Sequence, residues 1–141
     1  MTERPSQPNQ DTIAAAKASY DRCCRSRDFI PAFYANFFRA CPEAQPMFAK
    51  TDFRRQHKLL RHALGLLLNF PGHSGAEPNL LTRIAERHGR GDLDVAPRLY
   101  PAFVDAMIQT IGEYDPQFTP ALESAWRKSV APGIAYLQSK Y

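Results

Sequence analysis

Ile30-Pro31-Ala32-Phe33-Tyr34-Ala35-Asn36-Phe37-Phe38 places large apolar side chains at positions 30, 33, 37 and 38. That spacing of three and four gathers them on one face of a helix and does not fit the alternation of a strand. Tyr34 falls inside the same stripe. Pro31 is tolerated in a first helical turn, so the pattern predicts a helix from about Phe29 to Ala40.

The same period recurs on both sides of this stretch. A helix is expected from about Gln10 to Cys24, after a polar tail over residues 1–9. Ser26 to Asp28 reads as a turn, and Pro42 opens a short helical piece to about Phe48. A long helix follows from about Asp52 to Asn69, and Pro71 to Ala76 reads as a loop. Pro78 is expected to start a helix that stops near Gly89, before a loop from Arg90 to Asp94. Two long helices close the chain, about Ala96 to Tyr114 and about Pro120 to Ser139. Thr119 is a good N-cap for the last, and Pro132 interrupts one of its hydrogen bonds. No strand pattern, internal repeat or low-complexity segment breaks the series. The fold class is therefore all-α, with one domain over residues 10–141.

Composition agrees with that reading and narrows the function. The chain has 141 residues, 44% of them hydrophobic and 23% charged, as one soluble domain requires. No apolar run approaches the roughly 18–20 residues of a membrane span, and the polar N-terminus shows no secretory signal. The net charge of +4 is mild and does not by itself indicate nucleic-acid binding. Cys23, Cys24 and Cys41 form no Cys-x-x-Cys or Cys/His metal spacing, and three unpaired thiols point to a reducing cytoplasm. There is no glycine-rich phosphate loop and no Ser/His/Asp set.

Three predicted helices each carry one polar residue on an apolar face. Tyr34 lies among Ile30, Phe33 and Phe37; Gln56 falls between Phe53 and Leu60, in a stripe that continues to Leu64 and Leu67; His88 extends the line of Leu81, Ile84 and Ala85. Singly, each has an ordinary explanation. A tyrosine buries its ring and sends its hydroxyl outward, a glutamine sits at a stripe's edge, and a histidine is satisfied in a core or at a helix end. Together they form a set: an imidazole that can ligate iron, with a phenol and an amide that can donate hydrogen bonds. Facing helices so equipped could enclose a flat apolar cofactor.

The motifs, taken in order, resemble a known family. Phe33-Tyr34-Ala35-Asn36-Phe37-Phe38, then Pro42 and Met47-Phe48, are similar to the second and third helices of a bacterial globin. Lys58-Leu59-Leu60 with Leu64-Gly65-Leu66-Leu67-Leu68 resembles its distal helix, and Ile84-Ala85-Glu86-Arg87-His88-Gly89 its proximal histidine segment. Tyr100-Pro101-x-Phe103 and Ala125-Trp126 resemble its last two helices. The likeness runs from about Gln10 to Tyr136 and is greatest to single-domain globins akin to the haem domain of flavohaemoglobins.

This resemblance implies a globin fold, with helices packed around a pocket for haem b (iron protoporphyrin IX). By the same resemblance, His88 corresponds to the proximal iron ligand and Phe48 to the phenylalanine on the haem face. Tyr34 and Gln56 correspond to the distal pair, and Leu60 to the apolar residue over the iron. Ile84, Val95, Tyr100 and Phe103 fall where the family lines the proximal side. Such a site binds O₂, NO and CO. A diatomic ligand that takes on negative charge is stabilised by the Tyr34 hydroxyl and the Gln56 amide. Leu60, Phe48 and Phe33 limit water. Burial against haem also accounts for a polar mean hydropathy of −0.43 beside 11% aromatics.

Two departures from the family stand out. The interval from His88 to Tyr100 is about two residues longer than usual, through Arg90-Gly91-Asp92. The glutamate that flavohaemoglobin-like globins place late in the last helix is missing from Ala135 to Tyr141, which argues against a strongly peroxidase-like iron.

The implied function is reversible binding of O₂ and other diatomic ligands, for transport or storage. Nitric oxide dioxygenation with an external reductase is the enzymatic alternative. Gas sensing through the Arg90–Asp94 loop or the N-terminal tail, with a separate output partner, is a third. The expected partners are these small ligands and a reductase, without nucleic acid or membrane, in a monomer or homodimer. His57 reads as an outward or propionate-side residue, and would become a second iron ligand if the distal helix were rotated. His62 and His73 read as surface residues. Arg54, Arg55, Lys58 and Arg61 form a basic face, either simply solvated or in contact with haem propionates.

Overall fold

The computed structural model describes residues 8–72 and 76–141. Six α-helices account for most of it: α1 (Gln10–Cys24), α2 (Phe29–Ala40), α3 (Phe53–Asn69), α4 (Thr82–His88), α5 (Tyr100–Tyr114) and α6 (Pro120–Ser139). Short 3₁₀ turns at Pro42–Phe48, Phe70–Gly72 and Pro97–Leu99 join them, and no strand occurs among the described residues. The polar tail falls mostly on residues 1–7, and His73 on 73–75; both lie outside the described residues.

Local chemistry sets the ends of the helices. The Asn9 side chain accepts a hydrogen bond from the Thr12 N–H, Asp52 from those of Arg54 and Arg55, and Thr119 from that of Leu122. Each satisfies amide groups that a first helical turn leaves free. Asp52 is thus the cap of α3 rather than its first residue.

Two expected boundaries are corrected. The helix predicted to start at Pro78 starts at Thr82. Asn79 Oδ1 accepts from the Leu81 N–H at 2.9 Å, and Thr82 Oγ1 accepts from the Asn79 N–H at 2.8 Å. These side-chain bonds hold residues 79–82 in a turn that competes with helix. The helix expected from Ala96 is a 3₁₀ turn at Pro97–Leu99 followed by α5. Pro101 has no N–H, so a regular helix cannot run through it, and it is accommodated in the first turn of a new one.

The helices bury one continuous core. α2 lies along α5 and α1 along α6, while α3 crosses α6. Trp126 of α6 is fully buried and meets Tyr20 of α1 edge to face at 6.1 Å between ring centroids. A Cβ at Gly133 would come within 2.6 Å of Leu67 Cδ2 and 3.0 Å of Leu81 Cδ1. The missing side chain there is what lets α6 close onto α3. Asn36 ties α2 to α5 by donating to Thr110 at 2.9 Å and to Glu113 at 3.1 Å.

Candidate functional site

Between α2, α3, α4, α5 and α6 lies a cavity of about 130 Å³. Its walls are almost wholly apolar. Tyr34, Gln56, His88 and Tyr100 are the lining residues that bring an N–H, O–H or imidazole group to it. Phe48, Leu60, Ile84, Val95 and Phe103 line it as well. All nine residues singled out in the sequence therefore meet at one cavity, although they come from positions 34 to 103.

On the α2–α3 side, Gln56 Nε2 donates to the Tyr34 hydroxyl oxygen at 3.1 Å. The phenol's own O–H is then left to donate elsewhere. Burial pushes the Tyr34 pKa up to about 12, against the opposing effect of the Gln56 bond, so the proton stays on at neutral pH. Aromatic rings hold the phenol in place: Phe33 at 5.2 Å, Phe53 at 5.6 Å and Phe48 at 5.7 Å between centroids, all edge to face. His57 stacks on Tyr34 at 5.6 Å and 28°. It is not among the residues lining the cavity, so α3 does not have the rotation that would bring His57 in beside Gln56.

On the α4–α5 side, His88 is the last residue of α4 and half-buried. Its Nδ1 faces the Tyr100 hydroxyl at 3.5 Å, the long limit of a hydrogen bond. No hydrogen-bond partner of Nε2 occurs among the described residues. Burial lowers the His88 pKa, Arg87 adds to the lowering, and Asp92 opposes it. The neutral imidazole, the form that ligates metals, is thereby favoured. Burial likewise pushes Tyr100 up to about 12.

The longer segment after His88 is a folded turn. Leu93 N–H donates to Arg87 O, and Val95 N–H to His88 O, each at 2.9 Å. Asp94 adopts a positive φ of 56°, a region that suits a short polar side chain. Tyr141 reaches back to it: the phenol donates to Asp94, the carbonyl accepts from the Arg90 N–H at 3.1 Å, and the Arg90 guanidinium lies 4.8 Å over the ring. Among the described residues the acid acting on His88 is Asp92, which is paired with Arg87 at 3.4 Å on the surface. No carboxylate bonds the Tyr100–His88 pair among the described residues.

The sequence reading missed part of the wall. Leu99, Ile134 and Leu137 also line the cavity. An apolar residue facing a ligand cavity has the same period as one facing the core, so helical spacing alone does not separate them. His62 is exposed, as expected.

The family model described as Globin matches residues 31–135. A solved structure from Pseudomonas aeruginosa PAO1, of a protein described as structurally highly homologous to a human haemoglobin, superposes with a TM-score of 0.85. It is 32% identical, over 92% of this chain and 98% of that one. No curated protein matches the sequence.

Proposed function

This chain belongs to the globin family, and on that premise we propose that residues 10–141 form a b-type haem domain that reversibly binds dioxygen and other diatomic gases. Globins bind such ligands on haem. The single observation that carries the reading is the pairing, at one apolar cavity, of the His88 imidazole, whose Nε2 has no hydrogen-bond partner among the described residues, with a hydrogen-bond donor pair, Tyr34 and Gln56.

The residues present fit the group. A flat apolar cofactor needs apolar walls, one neutral nitrogen ligand and few competing polar groups, and the cavity supplies these. An apolar void of about 130 Å³ forfeits packing worth about 3 kcal/mol. A ligand that fills it therefore stabilises the fold. No cysteine lines the cavity, and no Cys-x-x-Cys precedes His88, which supports non-covalent haem b over a covalently attached form.

Haem supplies an iron centre that takes a diatomic ligand. The chain supplies the surroundings. His88 would hold the iron, with the Tyr100 hydroxyl 3.5 Å from its Nδ1. Tyr34 keeps its proton and would offer it to a bound ligand that gathers negative charge, while Gln56 bonds the phenol oxygen. Phe48, Leu60, Ile84, Val95 and Phe103 exclude water. A cytoplasmic location is consistent with the free thiols of Cys23, Cys24 and Cys41. Among the described residues no helix is long and apolar enough to cross a membrane.

Tyr34→Phe tests the distal assignment. Loss of one charge-assisted hydrogen bond, about 1.5–3 kcal/mol, raises the dioxygen dissociation rate roughly 10- to 100-fold. Flash photolysis or stopped-flow mixing measures it, and an unchanged rate would show that Tyr34 does not meet the ligand. Gln56→Leu gives a smaller rise. Nitric oxide dioxygenation uses the same residues and adds a need for electrons; sustained nitrate formation with a reductase present distinguishes it from reversible binding.

A further inference from the structure

The net charge of this chain lies on one helix. Lysine and arginine exceed aspartate and glutamate by 18 to 14, a surplus of four. α3 alone carries Arg54, Arg55, Lys58 and Arg61 and has no acidic residue. The other cations and acids balance. All four side chains are exposed, His62 lies among them, and Leu59 stands beside them at 51% exposure. At helical spacing the six positions cover one arc of about 160°.

None of the four cations forms an ion pair among the described residues. Arg54 and Lys58 are four apart, and Lys58 and Arg61 three apart, spacings at which like charges weaken a helix. Ion pairing therefore does not account for this stripe. The opposite face of α3 supplies Gln56, Leu60, Ala63, Leu64 and Leu67 to the cavity wall. The cations themselves do not line the cavity, so propionate contact is not their evident role. The stripe and the cavity thus lie on opposite sides of one helix, which with its side chains is about 10–12 Å across.

We propose that this face of α3 is the docking surface for an acidic electron-donor protein that reduces the iron held in the cavity. The proposal rests on the haem reading given above and names the partner it needs. The step transfers one electron: a reduced flavoprotein or iron–sulfur protein loses it, ferric iron gains it, and no atom changes hands. Leu59, exposed at one edge of the charged stripe, offers an apolar contact beside the charge, as in the small, weak interfaces of redox encounters. Complementary charge raises the encounter rate. Nucleic-acid binding fits less well, because such surfaces commonly engage about 6–10 phosphates and the rest of this chain is neutral.

The test is stopped-flow reduction of the ferric haem protein by a reduced acidic flavodoxin at low and high ionic strength. The variant is R54E/R55E/K58E; all three sites are exposed and near the helix N-terminus, where acids are favoured. Wild-type reduction is expected to slow about tenfold or more as salt rises. At low salt the variant is expected to be about 10- to 100-fold slower, with no decline in salt, while dithionite reduction and the CO spectrum stay unchanged. Equal rates for the two proteins, or no salt dependence, would overturn the proposal. So would loss of duplex-DNA or anionic-vesicle binding in the variant with flavodoxin rates untouched. A wild-type protein without a Soret band defeats the haem reading itself and the proposal with it, and is seen before any flavodoxin is added.

Discussion

His88→Ala is expected to yield a protein that loses its haem on gel filtration, with the Soret band reduced to a trace. The argument starts from the polar content of the cavity. His88 carries the imidazole that lines it, and the other three polar lining residues are two phenols and an amide, poor iron ligands at neutral pH. Both phenols are held protonated by burial, each with its pKa near 12. No substitute ligand is therefore ready. Groups that merely orient a metal-bound histidine are worth about 10- to 100-fold in affinity, so removing the ligand itself costs at least that. Added imidazole should enter the vacated space and restore part of the Soret absorbance. Far-UV circular dichroism separates haem loss from unfolding, since the truncation removes a half-buried ring at the end of a seven-residue helix. A variant that kept haem with the wild-type ferrous spectrum would show that another histidine binds the iron. His57 would be the first to examine, despite its place against the outer side of Tyr34.

How far the sequence alone reached depended on whether the cause was local. The bounds of α1, α2 and α6 coincide with the expected ones, because periodicity and turn residues mark them within a few positions. The start of α4 was missed because Asn79 and Thr82 exchange side-chain bonds, and Pro78 alone looks like a helix opener. Tyr34, Gln56 and His88 were visible as polar breaks in apolar stripes, but spacing does not say that three such breaks face one another. Their roles came from the resemblance. The cavity wall at Ile134 and Leu137, and the close approach at Gly133, depend on how α6 crosses α3, which helical period does not encode. The basic face of α3 was legible as composition. That it holds the whole net charge without an ion pair needed the structure.

The pair that fastens α1 to the end of α5 was illegible for the same reason. Arg22 and Asp115 are separated by 93 positions, and each alone reads as an ordinary surface charge. In the structure the Asp115 side chain is fully buried. It accepts hydrogen bonds from Ser19 Oγ at 2.5 Å, from Arg22 Nε at 2.7 Å and its second guanidinium nitrogen at 2.9 Å, and from the Gln117 N–H at 2.9 Å. Asp115→Ala removes every one of these acceptors and leaves a guanidinium and a buried hydroxyl unpaired. Breaking a buried pair in this way costs about 3–5 kcal/mol, and the lower figure applies here because the Arg22 side chain keeps 16% of its exposure. At a fixed haem content the thermal midpoint should fall by roughly 10 °C, and the urea midpoint should fall without a change in slope.

The pH dependence gives an independent check on Asp115. Burial alone would raise its pKa, but the Arg22 and Ser19 bonds outweigh that and hold it at about 2, below the ordinary 3.8. A carboxylate whose folded pKa is depressed stabilises the fold above its unfolded pKa. It loses that contribution as pH falls through the folded value. Wild-type stability should therefore drop by roughly 2 kcal/mol from this group between about pH 4 and pH 2, and the alanine variant should lack that component. Urea titrations of both proteins across this window measure the difference. Equal midpoints at pH 7 would mean that the α1–α5 tie rests on the surrounding apolar contacts and that the buried charge pair contributes nothing net. The two measurements fail separately: equal midpoints would dismiss the energetic weight of the pair, and parallel pH profiles the depressed ionisation of Asp115.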